Sequence, residues 1–359
     1  MKKLQTSLSL LFLLILLGCS SYRFKPQQGD VILMAYNVEN LFDTHHDAGK
    51  EDYARLPLSS KKNDKHKAIC SKERNSYYRD ECLNLDWSQE VLERKLARLT
   101  DVIKQVNDGK GPDLLFLEEV ENINVLNLWM EKHLKTLGFK EVVLLEGPDN
   151  RGIDTAFISK LPLQGPANLH QVKFQAINGL KSNDLSNSRG ILEANFVLPN
   201  KQILTAFALH LPSQAAPSEK RRQVLESLGQ RVKDLPSDRV IVAAGDFNIT
   251  HLENIRENLL EKWVKPLFLV SHEIGCNHCE GTHNYRGEWS FLDMMFFSKN
   301  LQLSEGKTGW TVIPESITTV SSSKYQIQGN SFTPSRFGEG RDTTGVSDHL
   351  PIMSVLRLY

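Results

Sequence analysis

Five short strings in this chain carry residues able to bind a metal, orient a water or hold a phosphate. They are Asn37-Val-Glu39-Asn40, Glu118-Glu119-Val-Glu121-Asn122, His210-Leu-Pro-Ser213, Asp246-Phe-Asn248 and Asp348-His349. Each follows a run of small or branched apolar residues: Val31–Met34, Leu114–Leu117, Phe207–Leu209, Ile241–Gly245 and, less regularly, Gly345–Ser347. Such runs predict buried strands, and strand ends are where α/β sheets place their sites. Alone, an Asp-His pair reads as a hydrogen-bonded loop, Gly-Asp-Phe-Asn as a turn, and Glu-Glu as two exposed acids. Five apolar runs that each deliver Asp, Glu, Asn or His point instead to one shared site.

The elements that must position these strings are also legible. Val91, Leu92, Leu96, Leu99, Val102, Ile103 and Val106 recur at helical spacing, with Ser88 as N-cap and Gly109 as a stop. A second helix is expected over 125–137, and a charged one over 217–235. Strands are expected at 141–145, 153–159, 191–197, 202–209 and 239–244. Interleaved strands and helices define an α/β or α+β class. Residues 44–86 are polar and poor in aliphatics and read as a surface insertion; 175–188 reads as a loop.

The N-terminus has the layout of a secretory signal: Lys2 and Lys3, an apolar stretch from Leu8 to Leu17, then Gly18-Cys19-Ser20. Ten apolar residues are too few for a bilayer core that needs about twenty. Cleavage before Cys19 would remove two of the 43 basic residues and none of the 43 acidic ones. No global basic field then steers a polyanion, although a local basic groove is invisible in a net charge. Cys70, Cys82, Cys276 and Cys279 remain, an even number that in an exported chain favours disulfides. Three pairings are possible, the most local being Cys70 with Cys82 and Cys276 with Cys279. A zinc knuckle at Cys276-Asn-His-Cys279 with His283 is the weaker alternative, because a fourth ligand is not obvious.

The five strings, in this order, resemble the endonuclease/exonuclease/phosphatase superfamily, which includes deoxyribonuclease I, abasic-site endonucleases, neutral sphingomyelinases and inositol polyphosphate phosphatases. The resemblance covers residues 30–359 and implies a four-layer sandwich of two mainly antiparallel sheets flanked by helices, with the site at one edge. Residues 1–18 are then a signal peptide, 19–29 a lipidated tether and 30–359 one domain carrying the insertion at 44–86. Leu16-Leu-Gly-Cys19 resembles a bacterial lipobox, which implies lipidation of Cys19 and, with Ser20 beside it, an outer-membrane address.

Residue by residue, the resemblance implies that Glu119 is the main metal ligand, with Asp348, Asn37 and Glu39 assisting. The implied cation is Mg2+, with Mn2+ or Ca2+ as alternatives. Glu118 stands where the family carries glutamine, an extra acid that would raise metal affinity or perturb a pKa. His349 would be the general base, oriented by Asp293, while Asp246 and Asn248 position the attacking water and phosphate oxygens. His210 would act on the other side of the phosphate, partnered by Asp154. Arg189, Ser213, His283 and Asn37 would contact substrate, although Arg189 reads almost as well as a surface arginine. The expected reaction is metal-dependent hydrolysis of nucleic acid by in-line attack of water, by a chain with no predicted protein partner. A phospholipid or sphingomyelin phosphodiesterase, a phosphomonoesterase, and a non-catalytic binding protein are the alternatives.

Overall fold

The computed structural model describes residues 24–182, 185, 188–306, 308–328, 333–338 and 345–359. The signal peptide and Cys19 lie outside the described residues. In chain order the strands begin with β1 (Val31–Leu41), β2 (Leu114–Val120), β3 (Glu141–Leu144), β4 (Asp154–Ser159), β5 (Asn168–His170) and β6 (Ile191–Val197). They continue with β7 (Ile203–His210), β8 (Val240–Asp246), β9 (Phe268–Val270), β10 (His283–Tyr285), β11 (Glu288–Ser290) and β12 (Asp293–Ser298). The last are β13 (Trp310–Val312), β14 (Thr318–Thr319), β15 (Ile327–Gln328), β16 (Thr333–Pro334) and β17 (Ile352–Leu358). The helices are α1 (Asp64–Cys70), α2 (Ser76–Asn84), α3 (Gln89–Ile103), α4 (Ile123–Trp129), α5 (Ser218–Lys233), α6 (His251–Glu257) and α7 (Ser271–Ile274).

Two sheets form the centre. One has the order β13-β17-β1-β2-β4-β3, with β14 also on β17; the other runs β5-β6-β7-β8-β12-β9. Pairing is antiparallel except for β1 with β2 and β7 with β8. The strands of both sheets alternate inward and outward, as a period of two requires. Val31, Leu33 and Ala35 of β1 face Val242 and Ala244 of β8 across the inter-sheet core, with Phe116, Phe157 and Phe196 stacked edge-on between them. The intervening Ile32, Met34 and Tyr36 pack on the outer side with α3 and α4. Ile241 and Ala243 likewise pack on the outer side of the second sheet with α5. Helices, sheet, sheet and helices therefore make the four expected layers, because each sheet has two apolar faces to cover.

Helix α3 starts where expected, with the Ser88 hydroxyl accepting from Val91 N, but it ends at Ile103, before Gly109. The expected second helix begins two residues earlier, where the Asn122 side chain accepts from Asn124 N and Val125 N. Residues 44–86 are more ordered than an aliphatic-poor insertion suggested: α1 and α2 are joined by the Cys70–Cys82 disulfide. The second disulfide joins Cys276 to Cys279, which removes the zinc-knuckle reading by consuming both thiols. Among the described residues, no helix is long and apolar enough to cross a membrane.

Candidate active site

The inward-facing register of the sandwich carries the chemistry. Asn37 follows Val31, Leu33 and Ala35 on the inner face of β1, and Asp246 follows Val240, Val242 and Ala244 on that of β8. By the same parity His210 ends the inner face of β7, and Asp293 begins that of β12. Register brings His210 opposite Asp246 and Asp246 opposite Asp293. All four side chains thus cap one end of the inter-sheet core. Gly245 permits the close approach of β7 and β8 there: it sits at φ +141°, and a Cβ would lie 2.0 Å from Leu209 O.

Two irregularities re-aim the acids of the first sheet. Pairing of β1 with β2 shifts between Asn37 and Leu41, and that of β2 with β4 shifts between Glu118 and Val120. Glu39, Asn40 and Glu119 take positive φ values of 51°, 55° and 64°. Bulges of this kind redirect side chains. Glu119 leaves the strand alternation here, and its Oε2 accepts from Asn40 N at 3.0 Å. Glu118 instead keeps the inward parity. It is fully buried, neither carboxyl oxygen has a hydrogen-bond partner, and its pKa is raised well above the ordinary value by burial and by the charges of Asp293 and Asp246. A neutral carboxyl under the floor does not strengthen metal binding, so its effect is on the neighbouring carboxylates.

His349 Nδ1 and Asp293 Oδ2 are 2.7 Å apart, both side chains buried. Its Nε2 lies 4.0 Å from Asp246 Oδ2 and 4.0 Å from Asp348 Oδ1. Burial alone would lower the His349 pKa, but Asp293, Asp348 and Asp246 together hold it well above the ordinary value. Burial and the Asp293 charge push Asp246 up to about 7 against the opposing pull of His349. Asp246 also accepts from Asn37 Nδ2 at 3.1 Å and from Asn248 N at 2.8 Å. Asn248, at φ 52°, donates its amide to Leu211 O at 3.1 Å, which turns its carbonyl oxygen free of that bond. Asn37 Oδ1 accepts from Glu39 N, so Asn37 ties the first bulge to Asp246 and keeps one lone pair for a ligand.

On the other side of Asp246, His210 Nε2 stands 3.5 Å from Asp246 Oδ2. Burial, and then the charge of Arg189, lower its pKa well below the ordinary value, so it is neutral. Asp154 does not partner it. Asp154 Oδ1 accepts from Gly147 N at 3.0 Å, and Asp154 Oδ2 and His210 Nδ1 are both buried without a hydrogen-bond partner. The reason is position: Asp154 starts β4 in the first sheet, paired with Val120, while His210 ends β7 in the second. Arg189 is no surface arginine. Its side chain is mostly buried, 3.2 Å from Asp149 Oδ2, and donates long hydrogen bonds to the carbonyls of His210 and Leu211 behind the site. Ser213 is exposed, three residues past His210. His283 bridges to His349 through the backbone, with ring centroids 4.8 Å apart, and burial with the His349 charge lowers its pKa to about 4.

Three residues that the sequence reading did not single out complete the site. Ser347 Oγ donates to Asn37 O at 2.7 Å and accepts from His349 N at 3.1 Å. Thr282 Oγ1 accepts from Asp293 N at 3.0 Å. Both sit within or beside the strings quoted above, a usable signal. Arg336 had none: its guanidinium reaches Glu39 Oε1 (2.7 Å) and Asp348 Oδ2 (2.5 Å) across a long sequence separation.

Residues 73–358 match the model of the Endonuclease/Exonuclease/phosphatase family. The chain belongs to this family. It is accordingly a metal-dependent hydrolase of phosphate esters, and the dyad and carboxylates just described occupy the site such chemistry requires. Solved structures share the fold. A family protein from Bacteroides vulgatus matches with a TM-score of 0.54 at 12% identity, over 92% of this chain and 99% of that one. A family protein from Beutenbergia cavernae gives 0.53 at 13%, over 92% and 72%. A humanized D. rerio TDP2 gives 0.51 at 13%, over 92% and 99%. None of the curated proteins matches the sequence.

The donors fit the family's divalent cation. Glu119, Glu39 and Asp348 are hard oxygen ligands, as magnesium prefers. Glu39, 6% exposed, has its pKa raised to about 7 by burial and then by the charge of Asp348, an excess of negative charge that a cation relieves.

Proposed function

We propose that this protein hydrolyses phosphodiester bonds of nucleic acid with the His349–Asp293 dyad as the base. The 2.7 Å contact between His349 Nδ1 and Asp293, with Nε2 left facing the space between Asp246 and Asp348, is the observation that carries the reading. Asp293 fixes the tautomer that keeps Nε2 available for the proton of water. Asp246, held by Asn37 and Asn248, orients that water from the inner side. Neutral His210 keeps an N–H for a phosphoryl oxygen or leaving group on the far side, and Arg189 positions its backbone. Glu119, with Asp348, Glu39 and Asn37, would hold the cation, with Mg2+ the proposed ion. When bound, it supplies positive charge for the phosphoryl oxygens and offsets the carboxylate field that otherwise keeps His349 protonated.

The surroundings favour a nucleotide chain. Beside the site lies a cavity of about 330 Å³ lined by Trp289, Phe291, His251, Asn254 and Thr250, groups suited to stacking on a base and hydrogen-bonding its edge. At the tip of the β10–β11 hairpin, Tyr285 is exposed with the Arg286 guanidinium over its ring, close in sequence to His283. A second reading, a phospholipid phosphodiesterase, is favoured by Leu252 and Ile255 of α6, 69% and 61% exposed near the same cavity. We further propose that lipid on Cys19 holds the enzyme at the outer membrane.

The deciding experiment assays the detergent-purified full chain on plasmid DNA, RNA, sphingomyelin vesicles and a soluble phosphomonoester, with magnesium and with chelator. Chelator-sensitive nicking of DNA or cleavage of RNA that vanishes in His349→Ala is the expected result. Turnover of lipid alone would transfer the site to the second reading.

A further inference from the structure

Arg336 is not an ordinary surface arginine. Its neighbours are clamped: Ser335 N donates to Gln326 O at 2.9 Å, Val346 N donates to Ser335 O at 2.9 Å, and Phe337 N donates to Glu39 Oε2 at 3.0 Å. Ser335 and Phe337 are 3% and 5% exposed, and Phe337 packs edge-on against Trp87. Gly345, at φ +113°, lets the chain pass the Arg336 carbonyl, where a Cβ would lie 1.8 Å away. From this fixed backbone the two terminal nitrogens divide between two acids, Nη1 to Glu39 and Nη2 to Asp348. The acids are the deeper partners: their side chains are 6% and 18% exposed, against 69% for Arg336. The guanidinium therefore covers their solvent side, and a divalent ion must displace it to reach either. Glu119 is within its electrostatic reach, but Glu119 Oε2 accepts from Asn40 N.

We propose that Arg336 is a resident cation in the Glu39–Asp348 half of the site, so that the chain loads one divalent ion, through Glu119, and excludes a second. The inference rests on the proposed metal-dependent reading of the site. A guanidinium keeps its charge at every physiological pH, and its planar fork matches two carboxylates better than an ammonium does. It neutralises the pair without a change in hydration or coordination, and its outward N–H groups remain available to a phosphate.

The test is titration of the full chain with Mn2+, reading free aqueous ion by electron paramagnetic resonance. Wild type is expected to bind one ion per chain, lost in Glu119→Gln. Arg336→Gln, at an exposed side chain and with an unchanged thermal melt as control, is expected to bind two. The second ion is expected to disappear in Arg336→Gln/Glu39→Gln. Two ions in the wild type, or one ion of unchanged affinity in Arg336→Gln, overturns the role of Arg336 while leaving the Glu119 site standing. No binding by wild type, or binding unaffected by Glu119→Gln, overturns the reading of the site and the inference with it.

Discussion

Asp154 and His349 are both buried and charged in their environment, yet their expected mutant behaviour is opposite. Burial and the Glu146 charge raise Asp154 to about 7 against the pull of its Gly147 N bond, from an ordinary 3.8. The folded state therefore holds this proton more tightly than the unfolded chain. Stability is full below about pH 4 and falls as pH rises towards 7. Asp154→Asn keeps an acceptor for Gly147 N and removes the ionisation. We expect it to melt with wild type at pH 4 and above it at pH 8, by a few kcal/mol at most, at ~1.4 kcal/mol per unit of pKa. A variant less stable at pH 8, or one losing turnover as His210→Ala does, would restore Asp154 to the chemistry. His349→Ala, Asp246→Asn and Asp293→Asn are instead expected to lose turnover by ~10²- to 10⁴-fold, the usual range for acid–base groups, with unchanged circular dichroism. Full activity in any of them would refute the assigned site.

The strands β7 and β8 meet at a place where only glycine fits. Gly245→Ala would set a Cβ against Leu209 O and near Glu118 Oε1, in a conformation that also strains the backbone. We expect a loss of about 3 kcal/mol, the upper range for overpacking, read from chemical denaturation. A neutral outcome would mean that the two strands separate easily at the site. The Cys70–Cys82 disulfide belongs to a different element and predicts a different signature. It closes a short loop between α1 and α2, away from the two inter-strand cores. Cys70→Ser/Cys82→Ser should cost ~3 kcal/mol of local stability by the chain-entropy account. The change should appear as faster proteolysis within residues 44–86 while the main melting transition moves little. A drop in the main transition of the same size would show that this excursion and the sandwich unfold together.

For the whole molecule, the proposed anchor makes a prediction independent of catalysis. Cys19→Ala should move the protein from the membrane fraction to the soluble one with kcat on a soluble substrate unchanged. Retention in the membrane would point to attachment through another part of the chain. The even charge balance, 43 basic against 43 acidic residues, fits a protein whose substrate contacts are local, in the Tyr285–Arg286 tip and the cavity beside Trp289, rather than a global field.

The sequence by itself determined the layers and most of the site. Apolar runs with a period of two define strands with two buried faces, and the polar residues that end their inward registers, Asn37, His210 and Asp246, must meet at one edge once the sheets pack. Asp293 and His349 were legible for a similar reason, lying in short motifs next to strands. What only the tertiary structure decided depends on side chains distant in sequence. Asp154 and His210 lie in different sheets without a shared hydrogen bond, Glu118 is buried and unpaired, and Arg336 covers Glu39 across a separation of 297 residues. Periodicity fixes which face a residue takes; whether two such residues are within hydrogen-bonding distance follows from sheet packing and bulges, which no local pattern encodes.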